Sequence, residues 1–142
     1  MNIRLIKGGE HIDQRGRLLF SNGFDFSPVK RIFTIEHNDP SFIRGWMGHE
    51  IENRWFLAVC GAFQIKVTEV TDWQAPDISD AECEVFLLNA DTLDVLHIPP
   101  GNVFCLQAIA PGSKLMVMSD YAVGVTNDEH RYPVLYGNAF QE

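Results

Sequence analysis

Short runs of β-branched and aromatic residues alternate with turn sequences along most of this chain, and no other feature limits the fold as much. No stretch keeps the 3.6-residue period of an amphipathic helix, whereas short runs bounded by Gly, Pro, Asn or Asp are typical of strands. Nine such runs predict an all-β structure: Arg17–Phe20, Lys30–Glu36, Phe42–Gly45, Trp55–Cys60, Phe63–Val70, Val85–Asn89, Leu93–Ile98, Val103–Ile109 and Leu115–Asp120. The acidic segment Asp77–Glu84 predicts either a helical turn or a loop. Strands at this spacing favour a sandwich or a closed barrel, because closure removes exposed sheet edges.

Length, charge and cysteine content narrow the class of protein. The 142 residues fit one domain, and a hydrophobic content of 46% is sufficient for a core. The net charge of −8 disfavours nucleic-acid binding, since phosphate contacts need a cationic surface. No apolar run reaches the length of a membrane span, and the first residues lack the apolar segment of a secretory signal. The 3 cysteines form no CxxC pair, so we expect free thiols and a cytoplasmic location.

Two motifs in the middle of the chain carry a spacing that is informative about the fold. The first is Arg44-Gly45-Trp46-Met47-Gly48-His49, followed by Arg54 and Gly61, and the second is Ile98-Pro99-Pro100-Gly101-Asn102-Val103-Phe104. Their spacing resembles the two signature motifs of the cupin barrel. The resemblance implies a cupin double-stranded β-helix, a jelly-roll barrel, formed by residues 1–142 as a single domain. Residues 123–142 are then a C-terminal tail that packs on the barrel or on a dimer partner.

The resemblance to cupins also implies which positions would hold a metal. In metal-binding cupins, two His and a Glu of the first motif and one His of the second motif are the ligands. In this chain these four positions are occupied by Met47, His49, Arg54 and Phe104. A divalent metal needs three or four nitrogen, oxygen or sulfur ligands, and a nearby arginine repels it. We therefore expect no metal and no other cofactor.

The alternation of side chains along a strand indicates which residues face the interior of the barrel. Met47 and His49 share one face of an extended segment, and the cupin pattern places that face inside. Simple parity places Arg44 on the opposite face, unless a bulge at Gly45 turns it inward, as bulges often do beside binding sites. The prediction is that Arg44, His49, Arg54, Phe104 and Tyr121 gather at one mouth of the barrel, where two cations suit a phosphate and the aromatic rings suit a base or sugar.

Further segments extend the resemblance over nearly the whole chain. They are Asp13-Gln14-Arg15-Gly16, Val29–Phe33, Ile43-Arg44-Gly45, His49, the Gly61 hairpin, Ile98–Gly101 and Ser119-Asp120-Tyr121. Together they resemble the nucleotide-sugar cupins, namely the sugar 3,4-ketoisomerases and, more distantly, the dTDP-4-dehydrorhamnose 3,5-epimerases. This resemblance implies a metal-independent homodimer that binds a nucleotide-linked 4-keto-6-deoxysugar in surface-polysaccharide biosynthesis. The implied activity is isomerisation or epimerisation of that sugar. One base and one proton donor suffice for it, because the ketone acidifies the adjacent carbon.

The resemblance suggests a role for each candidate residue. His49 corresponds to the second His of the ketoisomerase motif and is the predicted base, with Tyr121 as a possible acid. Arg44 and Arg54 would bind the diphosphate or polarise the ketone, and Met47 and Phe104 would contact the substrate. The first His of the ketoisomerase motif falls on Met47, which cannot transfer protons.

Three functional readings follow from the loss of that His. The first is an isomerase or epimerase in which His49 acts without its neighbour. The second is a non-catalytic cupin that binds a nucleotide sugar or a partner enzyme, and the third is a sensory sugar-binding module. At single positions, His49 could instead be a hydrogen-bonded core residue, Arg54 a surface residue, Met47 a core filler and Tyr121 a cap of the barrel.

Overall fold

The computed structural model describes residues 2–78 and 83–133, and all regular structure in these residues is β-strand. The twelve strands are β1 (Arg4–Ile6), β2 (Gly9–Asp13), β3 (Gly16–Phe20), β4 (Arg31–Glu36), β5 (Ile43–His49), β6 (Arg54–Cys60), β7 (Ala62–Glu69), β8 (Glu84–Asn89), β9 (Val95–Ile98), β10 (Asn102–Ala108), β11 (Lys114–Ser119) and β12 (Glu129–Arg131). Within the described residues there is no helix that is long and apolar enough to cross a membrane.

Two five-stranded antiparallel sheets form the body of the molecule. The first has the order β1-β9-β6-β11-β4 and the second has the order β12-β5-β10-β7-β8. The hairpin of β2 and β3 is a separate two-stranded sheet. From β4 to β12, sequential strands alternate between the two large sheets except for β7 and β8, which pair within the second sheet. This is the arrangement of a jelly roll, and the predicted all-β jelly-roll fold is confirmed.

The core lies between the two sheets and is built from the inward side chains of both. Phe56 and Val117 from the first sheet meet Phe63 and Phe104 from the second, and each of these side chains is at most 2% exposed. Burial of a large apolar side chain of this kind stabilises the fold by about 1.5–3 kcal/mol. Smaller clusters around Trp46 and Trp55 cover the outer faces of the second and first sheets.

The connection between β6 and β7 turns at a glycine, as the Cys60-Gly61-Ala62 sequence predicts, but it joins strands of the two different sheets and does not close the predicted hairpin. Gly61 adopts a φ of 65°, which is strained for any residue with a side chain. A Cβ atom at this position would also lie 2.2 Å from the Ser113 Oγ. That hydroxyl accepts a hydrogen bond from the buried Ala62 amide at 3.1 Å, so the turn is fixed against the start of β11.

All nine predicted strands are present, with end points that differ by a few residues, and β5 continues beyond its predicted end at Gly45 to His49. The sequence pattern missed β1, β2 and β12. Part of the predicted tail, Glu129–Arg131, forms β12 and pairs with β5, whereas residues 134–142 of that tail lie outside the described residues. Residues 79–82 of the acidic segment also lie outside them.

Candidate active site

A cavity of about 380 Å³ opens between the two sheets near the start of β4 and the end of β12. Apolar side chains line its floor, among them Phe33, Met47, Phe56, Phe104, Leu106 and Val117. Its charged side chains are four arginines and two glutamates: Arg31, Arg44, Arg54, Arg131, Glu36 and Glu129. The cavity therefore carries an excess of positive charge in a chain whose net charge is −8, and an anion is the ligand that its electrostatics favour.

A bulge in β5 places Arg44 in this cavity. Met47 pairs with Phe104, and Arg44 pairs with Leu106, so three steps along β5 match two steps along β10. The extra residue lies at Gly45–Trp46 and reverses the facing of the residues before it. Arg44 consequently lines the cavity together with Met47, as the predicted bulge at Gly45 requires.

Arg44 is held at this position by a buried histidine. Its Nε donates a hydrogen bond to the His37 Nε2 at 3.3 Å, and His37 is only 6% exposed. Burial lowers the pKa of His37, and the positive charge of Arg44 lowers it further. The ring is therefore neutral at neutral pH and can accept this bond. The guanidinium has no carboxylate partner among the described residues, which leaves its charge available to a ligand.

Arg54 lies at the start of β6 and is only 5% exposed, although it lines the cavity. Its Nη2 donates to the Glu52 Oε1 at 3.0 Å, and its guanidinium carbon lies 5.7 Å from the centre of the Phe33 ring. The Arg54 Nε is buried and has no hydrogen-bond partner among the described residues. Arg54 is thus a buried cation with one unused donor at the cavity wall.

Glu52 is the acceptor at the centre of a buried polar network behind Arg54. Burial alone would raise the pKa of this carboxyl, but hydrogen bonds from Ser119 and Thr126 and the charge of Arg54 outweigh it and lower the pKa. The Ser119 hydroxyl donates to the Glu52 Oε1 at 2.6 Å, and the Thr126 hydroxyl donates to the Oε2. Asp128 accepts from the backbone amides of Ile51 and Glu52 at 2.7 Å and 2.9 Å, which fixes the loop that carries Glu52.

His49, at the end of β5, is 3% exposed and lies against the cavity wall rather than among its lining residues. Its ring stacks on Phe104 at a centroid distance of 6.2 Å. The buried Nε2 has no hydrogen-bond partner among the described residues, and the Glu129 Oε1 lies 3.7 Å from it. This nitrogen is therefore available for a proton.

The environment of His49 keeps its ring neutral. Burial lowers the pKa of the imidazole, and the charge of Arg54 lowers it further. The carboxylates of Glu52, Asp128 and Glu129 act in the opposite direction without reversing the shift. A neutral imidazole with a free nitrogen can act as a base at neutral pH.

Tyr121, like His49, is a predicted site residue that is not among those lining the cavity. It follows β11, is partly buried, and its backbone amide donates to the Ser119 Oγ at 3.2 Å. It is not among the cavity-lining residues, whereas Arg44, Met47, Arg54 and Phe104 all line the cavity.

The site also contains charged residues that the sequence motifs did not indicate. Arg131 and Glu129 extend from β12 into the cavity and contact each other, and Arg31 lies at the start of β4 over the Phe33 ring at 4.7 Å. Glu52 was missed as well, although it lies two residues before Arg54. The proximity of Glu52 to the candidate Arg54 was a usable signal for Glu52. Glu129 and Arg131 gave none, because β12 is too short to show a strand pattern.

The residues at the cupin metal positions do not suit a metal. Of Met47, His49, Arg54 and Phe104, only His49 offers a nitrogen donor, and Arg54 places a positive charge beside it. No group of three or more His, Cys, Asp or Glu side chains in residues 2–78 and 83–133 could hold a metal ion.

The buried histidines predict how stability depends on pH. Burial lowers the pKa of His37, His49 and His97 below the ordinary value of 6.5, so that below this pH the unfolded chain binds more protons than the folded protein. The free energy of unfolding should thus be constant above about pH 7 and fall as the pH is lowered from about 6.5 towards 5. Urea unfolding across this range would measure the effect, and His97→Asn should reduce the pH dependence. A stability that increases on acidification would contradict the burial of these rings.

Comparisons with solved structures agree with this architecture. A 3,4-ketoisomerase from Helicobacter canadensis is 20% identical, with a TM-score of 0.70 and coverage of 93% of this chain and 92% of that one. A 3,4-ketoisomerase from Thermoanaerobacterium thermosaccharolyticum, in complex with TDP-4-keto-6-deoxyglucose, is 22% identical, with a TM-score of 0.70 and coverage of 99% and 98%. The dTDP-4-dehydrorhamnose 3,5-epimerase from Bacillus anthracis is 15% identical, with a TM-score of 0.69 and coverage of 86% and 75%.

The chain has the cupin fold of these enzymes. The resemblance that the sequence motifs predicted is thus confirmed at the level of the fold. No protein-family model matches the chain, and no curated protein matches it either. Identities of 15–23% do not extend the catalytic residues of these enzymes to this chain.

Proposed function

We propose that this protein is a metal-independent isomerase or epimerase of a nucleotide-linked, dTDP-type 4-keto-6-deoxysugar in surface-polysaccharide biosynthesis. The observation that carries the proposal is a neutral, solvent-excluded His49 with a free Nε2 beside a cavity rich in arginine. The ketoisomerase from Thermoanaerobacterium thermosaccharolyticum is known in complex with TDP and with a TDP-sugar, and the epimerase from Bacillus anthracis with TDP, which supports the same class of ligand. The homodimer implied by the sequence resemblance is part of this proposal.

The proposed reaction begins with proton abstraction from the carbon beside the ketone. The C–H bond breaks, its proton moves to the His49 Nε2, and the electron pair moves onto the carbonyl oxygen to give an enediolate. Arg54, whose side chain lines the cavity, would stabilise that negative oxygen. The Glu129 carboxylate at 3.7 Å would then stabilise the imidazolium that forms. In an isomerisation, the hydroxyl on the deprotonated carbon passes its proton to the negative oxygen and becomes the new ketone, while the former carbonyl carbon takes up a proton. In an epimerisation, the first carbon takes up a proton on its opposite face and the original ketone re-forms. Tyr121 is the proposed acid in either case.

A non-catalytic cupin that binds a nucleotide sugar is the second candidate. Met47 lines the cavity where the ketoisomerase motif has its first His, and His49 itself lies behind the lining residues. A binding protein would keep the arginines and have no need of the base. The two candidates predict the same ligand and differ only in proton transfer.

Two measurements separate these candidates. A thermal shift on addition of dTDP tests binding, and solvent deuterium exchange into a dTDP-4-keto-6-deoxysugar tests proton abstraction even when no net product accumulates. Binding with exchange supports the isomerase, and binding without exchange supports the non-catalytic cupin. Absence of a thermal shift with dTDP would contradict both.

Arg44→Ala should weaken dTDP binding by about 1.5–3 kcal/mol, because a charge-assisted hydrogen bond to phosphate is lost. Isothermal titration calorimetry would measure the loss. Arg15→Ala is the matched control, since Arg15 is a surface arginine 81% exposed on the separate hairpin and paired with Asp13. An equal loss in both variants would contradict a phosphate contact of Arg44.

A further inference from the structure

We propose that Glu52 is a positioning residue for Arg54, and that it holds the guanidinium in one orientation at the cavity wall. The inference rests on the proposed function and names a residue that the sequence motifs do not contain. Glu52 itself does not line the cavity, and it acts through Arg54.

The Glu52 carboxylate is held in place by hydrogen bonds from several segments of the chain. The residue is 8% exposed, and its carboxylate accepts hydrogen bonds from three side chains, those of Arg54, Ser119 and Thr126. These come from β6, from β11 and from the loop that precedes β12, so one carboxylate joins three segments around the site. A buried carboxylate is costly unless it is paired and hydrogen-bonded, and here both requirements are met.

The hydrogen bond to Glu52 determines the orientation of the Arg54 guanidinium. Its Nη2 is engaged with the Glu52 Oε1 at 3.0 Å, and this contact fixes the plane of the guanidinium. The Nε is buried and has no partner among the described residues, so the bond to Glu52 is the side-chain hydrogen bond that holds the guanidinium at the cavity wall. Without Glu52 the guanidinium would lose this orientation, and the nearby positive charge of Arg31 would repel it.

Glu52 also sets the electrostatic balance at His49. The charged groups that act on this imidazole are Arg54 on one side and the carboxylates of Glu52, Asp128 and Glu129 on the other. Removal of the negative charge of Glu52 leaves the effect of Arg54 less opposed, so the pKa of His49 should fall further. The acidic limb of a pH–rate profile that requires neutral His49 should then move to lower pH.

Two substitutions distinguish the effect of the charge of Glu52 from the effect of the length of its side chain. Glu52→Gln removes the charge and keeps the shape, so kcat should fall about tenfold, with KM little changed, and the acidic limb should move to lower pH. Glu52→Asp keeps the charge and shortens the side chain, so kcat should fall while the limb stays close to its wild-type position. Ser119→Ala removes one hydrogen bond to Glu52 without a change of charge. It is the matched control for the position of the acidic limb of the pH–rate profile.

The decisive experiment combines deuterium exchange with NMR titration of the His49 imidazole in the wild-type protein and in these three variants. A lower pKa of His49 in Glu52→Gln alone, with reduced exchange in both Glu52 variants, supports the inference. An unchanged titration and an unchanged kcat in Glu52→Gln would overturn it. If the wild-type protein shows no exchange, the proposed enzyme is wrong, and the NMR titration still decides whether Glu52 controls the site. If Glu52→Gln does not fold, Glu52→Asp provides the test, and an unchanged kcat there overturns the inference.

Discussion

His49→Asn should lower the rate of deuterium exchange into a keto-sugar nucleotide by about 10²- to 10⁴-fold, which is the usual contribution of a general base. Asparagine keeps a polar side chain of similar size but cannot take up a proton at neutral pH. The affinity for dTDP should stay nearly unchanged, because the arginines that attract the phosphates are untouched. The two readouts are the exchange rate by NMR and the dTDP affinity by calorimetry.

His11→Asn is the control for this prediction. His11 lies on the β2–β3 hairpin with its side chain 64% exposed, remote from the cavity, so its replacement should alter neither readout. Undiminished exchange in His49→Asn would show that the base is another residue, and Tyr121 would be the next to test. A loss of dTDP affinity as large as the loss of rate would assign His49 to binding instead.

The fold could be predicted from sequence wherever strands are long enough to show a pattern. The strand Phe63–Val70 has a clear alternation and appears as β7, and the Pro99-Pro100-Gly101 turn appears with Gly101 at a φ of 93°. By contrast, β1 and β12 have three residues each, and β2 is Gly-Glu-His-Ile-Asp, in which only the Ile favours a strand. β1 and β12 form by pairing with β9 and β5, which are distant in sequence, whereas β2 forms by local pairing with β3.

The candidate site was predictable only along the two motif-bearing segments. The strand parity and the bulge at Gly45 place Arg44 and Met47 correctly, because both depend on local geometry. The contact between Glu129 and His49 joins residues that are far apart in sequence, through the pairing of β12 with β5. No local pattern contains such a pairing, and the same is true of the bond from Thr126 to Glu52.

The motif that suggested Tyr121 also has a structural role. The Ser119-Asp120-Tyr121 match was a short motif, and its position at the end of a strand suggested a place at the barrel mouth. In the structure the Ser119 hydroxyl serves the Glu52 network, and Asp120 accepts from the backbone and side-chain amides of Asn53 at 2.9 Å. The motif therefore has a structural use of its own, independent of proton donation by Tyr121.

Phe104→Ala should destabilise the protein by about 3–5 kcal/mol, since it removes a fully packed aromatic ring from the core. Phe104 is 2% exposed, lies edge-on to Phe56 at 5.1 Å and carries the His49 ring on its other side. The position that would hold a metal-binding His in other cupins is thus filled by a ring that joins the core to the cavity wall. Urea unfolding would measure the loss.

Phe26→Ala is the matched control, because Phe26 is 57% exposed and its removal should change the free energy of unfolding by about 0.5 kcal/mol or less. A loss below about 1 kcal/mol for Phe104→Ala would contradict the packing of this ring.

Because Phe104 also orients His49 by stacking, the Phe104→Ala variant should lose exchange activity even at temperatures where it stays folded. A Phe104→Leu variant, which refills most of the volume without an aromatic face, distinguishes the two effects: it should recover much of the stability and little of the activity.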